Sequence, residues 1–192
     1  MLPYYLDLPE LEIPKALQES QYVQHPMDFL SPSGSGMGGK NFQYRGVPQN
    51  WYAILKDYLQ SMLTIPVGSL TLLNTSANAS SPWHSEGPNT FGRRCALNFM
   101  VSGNFQESYV QWCKRGEEEL ETNDSRGAWW EDDNMEVLAE HRMTLGKATI
   151  YNTMHWHRVF NFTELDRMVI SMAINIPIEE IHELYSSGGL FK

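Results

Sequence analysis

Residues 146–175 read GKATIYNTMHWHRVFNFTELDRMVISMAIN, and two strands follow from them. Ala148-Thr149-Ile150-Tyr151-Asn152 combines β-branched and aromatic residues. Arg167 then opens a run to Ala173 in which Val169, Ser171 and Ala173 alternate with Met168, Ile170 and Met172. One face of that second strand is bulky and suits a core, while the other is small and leaves room beside it. A tight connection between the two carries His155-Trp156-His157.

The same short, alternating segments recur upstream. Ser69 to Asn74 predicts one strand and Ser108 to Cys113 another. Arg93 to Val101 sends Arg94, Ala96 and Asn98 to one face and Cys95, Leu97, Phe99 and Val101 to the other. Helix signals come earlier: Asn50 as N-cap, then Trp51, Leu55, Tyr58, Leu59 and Met62 on one face of a helix over 51–62, with Pro66 and Gly68 behind it. Many strands after one amphipathic helix predict an α+β chain. Its core, residues 68–176, reads as a double-stranded β-helix (jelly roll, cupin-like) with an N-terminal helical buttress.

The chain is read as one domain, 1–192, with residues 1–66 as extended and helical support and 177–192 as a tail. Prolines 3, 9, 14 and 26 suit an extended segment laid over the core, with a short helix near Lys15 to Ser20. SPSGSGMGG, residues 31–39, reads as a flexible linker. Between Lys114 and Glu136, acidic runs surround Trp129-Trp130 and read as a solvated loop carrying an aromatic pair. Pro177 predicts a short helix, and Gly188-Gly189 a loose end.

A formal charge of −9 over 192 residues argues against a partner that is bound through its phosphates, so no nucleic acid is expected. No apolar run is long enough to span a bilayer, and the start, MLPYYLDLPE, lacks a signal-peptide layout. A cytoplasmic location away from membranes is expected. Cys95 and Cys113 have no metal-ligand spacing and read as reduced strand residues.

Chemistry concentrates in two places. In Trp83-His84-Ser85-Glu86-Gly87, His84 and Glu86 are two apart and leave the same face of an extended strand. His157, followed ten residues later by Arg167, supplies a second imidazole. Two imidazoles and one carboxylate can hold Fe(II) on one side and leave the other open. Arg167 offers a fixed fork for a carboxylate. His155 also flanks Trp156 and is the alternative distal ligand, while His25, His141 and His182 read as structural.

In this order the residues resemble the Fe(II)/2-oxoglutarate-dependent dioxygenases: His-x-Asp/Glu, a long gap, a distal His, and about ten residues on an Arg for the far carboxylate of the cofactor. His157-Arg158-Val159-Phe160-Asn161, running on to Arg167, is most similar to the ending of aspartyl/asparaginyl β-hydroxylase-like members and of phage and bacterial hydroxylases. The resemblance spans residues 68–176 and departs in having Glu86 where Asp is commoner. It implies Fe(II) on His84, Glu86 and His157, which are then also the catalytic residues. It further implies 2-oxoglutarate on Arg167, with Asn98, Ser171, Arg94 and Tyr151 as candidate hydrogen-bond partners for its carboxylates. The activity implied is hydroxylation of an amino-acid, peptide or small-metabolite substrate, with release of succinate and carbon dioxide and with ascorbate as the reductant in vitro. A cupin-type metalloenzyme that does not use 2-oxoglutarate and a non-catalytic jelly-roll binding module stand as the alternatives.

Overall fold

The computed structural model describes residues 3–18, 42–45, 47, 49–86, 93–104, 106–114, 128–130 and 135–192, with backbone alone at 18, 42–45, 49 and 128–130. Two antiparallel sheets face each other. The first contains β1 (Tyr5–Glu12), β2 (Phe42–Arg45), β3 (Leu70–Thr75), β6 (Cys95–Ser102), β10 (Lys147–Asn152) and β12 (Arg167–Ile174), in the order β1-β10-β6-β12-β3-β2. The second contains β5 (Trp83–Ser85), β7 (Ser108–Lys114), β8 (Ala128–Trp130), β9 (Glu136–His141) and β11 (His157–Asn161), in the order β8-β5-β11-β7-β9, with the short β4 (Ala79–Ser80) paired to β11. Without the additions at the edges, β3-β12-β6-β10 lies against β5-β11-β7-β9, and successive strands of the chain cross between the sheets, except that β9 follows β7 within the second. That is a double-stranded β-helix, as the strand pattern predicts.

The alternation along β6 and β12 explains why two cores form. Cys95, Leu97, Phe99, Met168, Ile170, Met172 and Ile174 pack outward into a cluster with Trp51, Leu55 and Leu59. Met100 and Val169 turn inward, where they meet Val110, Trp112, Met143, Tyr151 and Val159 between the sheets. β12 is buried along its whole length because one face meets helices and the other meets the second sheet.

The helices are α1 (Lys15–Gln18), α2 (Gln49–Met62) and α3 (Ile178–Ser186). Helix α2 is the buttress, with Trp51, Leu55 and Leu59 fully buried on its inner face. It begins at Gln49, so Asn50 lies inside its first turn instead of capping it. Helix α3 starts after Pro177 with Glu179 and Glu180 in its first turn, where acidic groups complement the helix dipole.

Three further expectations change, and β9 joins them as a strand on which the sequence reading is silent. Tyr5–Glu12 is a full edge strand of the first sheet, paired to β10, and its register slips between Leu8 and Glu12, the interval that contains Pro9. An edge position and an irregularity are where a sheet tolerates proline. Glu136–His141 is a strand. Trp129-Trp130 lies within β8, which pairs with β5, and not in a loop. The carboxyl end is not loose: Gly188 takes φ 75°, the Gly189 N–H donates to the Leu184 carbonyl at 2.7 Å, and Leu190 is fully buried. The 31–39 linker reading lies outside the described residues. No described helix is long and apolar enough to cross a membrane.

Candidate active site

His84 and His157 stand directly opposite each other on paired strands β5 and β11. Their ring centroids are 4.3 Å apart with the planes tilted by 54°. Each Nδ1 lies against the main-chain carbonyl two residues earlier, Pro82 O at 2.9 Å and His155 O at 2.8 Å. A carbonyl only accepts, so each Nδ1 carries the proton and each Nε2 the lone pair. A bond of this kind holds an imidazole in one tautomer and leaves its other nitrogen as a donor of a lone pair. Burial drives both rings toward the neutral form, opposed in part by those carbonyls. His84 is lowered to about 4, with Arg93 contributing, and His157 falls well below the usual histidine range, with His84 contributing.

Both rings line a recess between the sheets of about 400 Å³, counted out to its open mouth. Leu73, Val110, Val159 and Val169 form its apolar walls, and Glu86, Arg93, Asn98, Tyr151, Thr153 and Arg167 its polar ones. The Glu86 N–H is tied to Thr153 O at 2.8 Å. Its carboxylate Oε2 lies 2.8 Å from Arg93 Nε, too far off the N–H axis to form an aligned hydrogen bond, so the contact is an ion pair. Burial raises the Glu86 pKa and the Arg93 charge lowers it, leaving it above the usual carboxylate value. Arg93 also donates through Nη2 to Ser171 Oγ.

Arg167 opens β12 and is 3% exposed. Among the described residues it has no carboxylate partner. Among the same residues its Nη2 meets only the Met143 sulfur, at 3.4 Å, and its Nε has no acceptor. Burial lowers its pKa, and the Tyr151 hydroxyl opposes that. A buried guanidinium held by a thioether is costly unless an anion completes it. The loop that delivers it is pinned by Asn161, whose Nδ2 donates to the Thr75, Ser76 and Leu165 carbonyls at 3.1, 2.9 and 2.7 Å. Asn161 therefore shapes the 157–167 connection, as its sequence position suggests.

The recess gathers His84, Glu86, His157, Arg167, Asn98 and Tyr151 from the sequence candidates. Ser171 is buried beside it as the acceptor of Arg93. Arg94 is outside: the strand starts at Cys95, so the alternation that put Arg94 with Ala96 and Asn98 does not extend back to it, and Arg93 occupies the recess instead. His155 is also outside, supplying its carbonyl to His157 while its ring meets Tyr4 edge-on at 5.5 Å. Thr153, whose buried hydroxyl has no partner among the described residues, carries no sequence signal. Cys95 and Cys113 are free and buried, each pushed up to about 12 chiefly by burial, and so are thiols.

Among the described residues, no three His, Cys, Asp or Glu side chains converge tightly enough to hold a metal ion. The two imidazoles meet and Glu86 shares their recess, but its carboxylate is turned to Arg93. The donor set fits a divalent cation such as Fe(II): two neutral imidazoles with preset tautomers and one carboxylate within the same cavity.

No protein-family model matches the chain, and no curated protein sequence does. Solved structures do. The α-ketoglutarate-dependent epimerase SnoN from nogalamycin biosynthesis, in complex with Fe3+ and α-ketoglutarate, superposes with a TM-score of 0.53 at 15% identity, over 89% of this chain and 78% of that one. HygX from Streptomyces hygroscopicus, with nickel and 2-oxoglutarate bound, gives 0.52 at 9% identity, over 90% and 83%. Vicilin from hazelnut, Corylus avellana, gives 0.43 at 12% identity over 77% of this chain and 31% of that one. The likenesses to SnoN and HygX establish the jelly-roll fold.

Proposed function

We propose that the protein is an Fe(II)- and 2-oxoglutarate-dependent oxygenase that hydroxylates an amino-acid or peptide side chain and releases succinate and carbon dioxide. One juxtaposition carries the reading. Two imidazoles, each with Nδ1 already bonded to a carbonyl, share a recess with a buried arginine that has no carboxylate partner among the described residues. A metal and a dicarboxylate together would satisfy both halves of that recess.

In this reading His84 and His157 hold the metal through Nε2, and Glu86 joins them when Arg93 gives up its carboxylate. The extra methylene of Glu, compared with Asp, gives the side chain reach to serve either partner. Arg167 would hold the distal carboxylate of 2-oxoglutarate in its fork and so orient the cofactor within the recess. Leu73, Val110, Val159 and Val169 keep water from the cofactor chain. Fe(II) and 2-oxoglutarate, when bound, supply the oxidising power of O2 at a C–H bond, chemistry that no side chain of the protein provides.

The test is to add Fe(II), 2-oxoglutarate and ascorbate to the purified protein under air and to follow succinate by NMR. Succinate should form only when iron and 2-oxoglutarate are both present, and should increase when amino acids and short peptides are supplied. If no succinate forms and 2-oxoglutarate does not bind, the reading is wrong. Metal-dependent chemistry that survives Arg167→Ala would point to a cupin-type metalloenzyme that uses no 2-oxoglutarate.

A further inference from the structure

A chain of hydrogen bonds runs from the surface to the arginine end of the recess, through residues the proposed chemistry does not use. Asp7, on edge strand β1, has a side chain that is 54% exposed. Its two carboxylate oxygens each lie 3.0 Å from Nε2 of His141, which is buried at the end of β9. Nδ1 of the same ring is 3.1 Å from the Tyr151 hydroxyl, and Tyr151 lines the recess with Arg167. Thr149 donates to Asp7 Oδ1 at 2.7 Å, and Tyr5 lies over the imidazole with centroids 4.0 Å apart. Two residues beyond His141, Met143 touches Arg167, so one short segment serves both groups.

Donor rules fix what this chain can do. The Asp7 carboxylate only accepts, so it holds the Nε2 proton of His141. A neutral ring then has only a lone pair at Nδ1, and the Tyr151 hydroxyl must donate to it, directing its proton away from Arg167. A second proton on the ring turns Nδ1 into a donor. Tyr151 then accepts from His141, and its own O–H is released to donate elsewhere.

We infer that Asp7 and His141 are positioning residues that present the Tyr151 hydroxyl to a carboxylate held by Arg167, so that dicarboxylate binding is coupled to uptake of one proton by His141. The inference rests on the reading of Arg167 as the cofactor's anchor and adds a proton to it. The proton comes from solvent beside the half-exposed Asp7 and leaves with the ligand, so no bond to carbon is made or broken. The charged and titratable groups facing the relay are Asp7 and Tyr5 from β1, Tyr151 from β10 and Arg167 from β12. On β7, the residue paired with His141 is Val110. Tyr151 can donate to an arriving carboxylate only when Nδ1 of His141 donates to it, and that takes a second proton on the ring, so ligand binding and proton uptake go together.

The test is calorimetric titration of 2-oxoglutarate into Mn(II)-loaded protein from pH 6.5 to 8.5, in buffers of different ionisation heat, which gives the protons exchanged per ligand. Wild type should take up about one proton on the alkaline side, with affinity falling by up to about tenfold per pH unit there. His141→Gln and Tyr151→Phe should bind about tenfold more weakly and lose that uptake. Asp7→Asn alters a half-exposed side chain and so keeps the fold. It should shift the onset of the fall in affinity to lower pH, because the imidazolium has lost its counter-charge.

Binding by wild type with no proton uptake, or wild-type uptake in His141→Gln, would overturn the relay alone. Failure of wild type to bind 2-oxoglutarate at any pH would remove the relay together with the cofactor reading beneath it. Should His141→Gln not fold, Asp7→Asn still decides, since an unchanged pH profile in that variant contradicts the coupling.

Discussion

Arg167 bears the most specific consequence at the scale of single residues. Replacing it with Ala should weaken 2-oxoglutarate binding by roughly 100-fold or more, the cost of losing a buried charge partner, and leave metal binding intact. Calorimetry on the Mn(II) form checks both halves. The buried histidines give a pH prediction with a defined sign. His84 is lowered from an ordinary 6.5 to about 4 in the folded chain, chiefly by burial, so between those values the unfolded chain binds the extra proton. Stability should therefore fall as pH drops from about 6.5 toward 4, and His157, lowered well below its usual range, adds to the loss. Glu86, raised above its usual value, works in the opposite direction in the lower part of that window and offsets only some of it. Urea midpoints of metal-free protein at pH 7 and pH 5 should show the drop, and His84→Ala should reduce it. That His84 and His157 meet in one recess was legible in the sequence, because His-x-Glu and a second histidine near a strand start leave a trace. Arg93 and Thr153 were not, because each lies beyond the end of a strand, where alternation no longer reports which way a side chain points.

Among the elements, β11 and the connection that follows it decide whether the site is assembled. Asn161 bonds three carbonyls at the end of β11, and these bonds set where β12 begins and thus where Arg167 emerges. Asn161→Ala should cost about 2 kcal/mol, since it removes the two amide hydrogens that the three carbonyls share. It should also raise the KM for 2-oxoglutarate more than it lowers kcat, because it displaces Arg167 and not the metal ligands. Denaturant titration and steady-state kinetics separate the two effects. The sequence showed β12 and the inner face of β6 clearly, because two-residue alternation over seven or more positions leaves little ambiguity. It hid β1, where Pro9 reads as a breaker and is accommodated only because the strand lies at an edge. It also hid β8, where acidic neighbours make the Trp129-Trp130 segment resemble solvated loop.

For the molecule as a whole, the jelly roll explains why residues far apart in sequence meet. Crossing between the sheets brings β5 beside β11, which puts His84 opposite His157, and brings β12 beside β6, which puts Arg167 in the same recess. Helix α2 covers the outer face of the first sheet, and α3 with the buried Leu190 closes the same core, so the inner faces are left free to line a cavity. The cost of a polar interior is concentrated in two imidazoles and two guanidiniums, which is where a ligand is called for. The most direct measurement is titration of Mn(II) into the metal-free protein, followed by calorimetry or electron paramagnetic resonance. One ion should bind per chain, binding should be lost in His84→Ala and in His157→Ala, and it should persist in His155→Ala. Binding that is unchanged in His157→Ala, or lost in His155→Ala instead, would contradict the account.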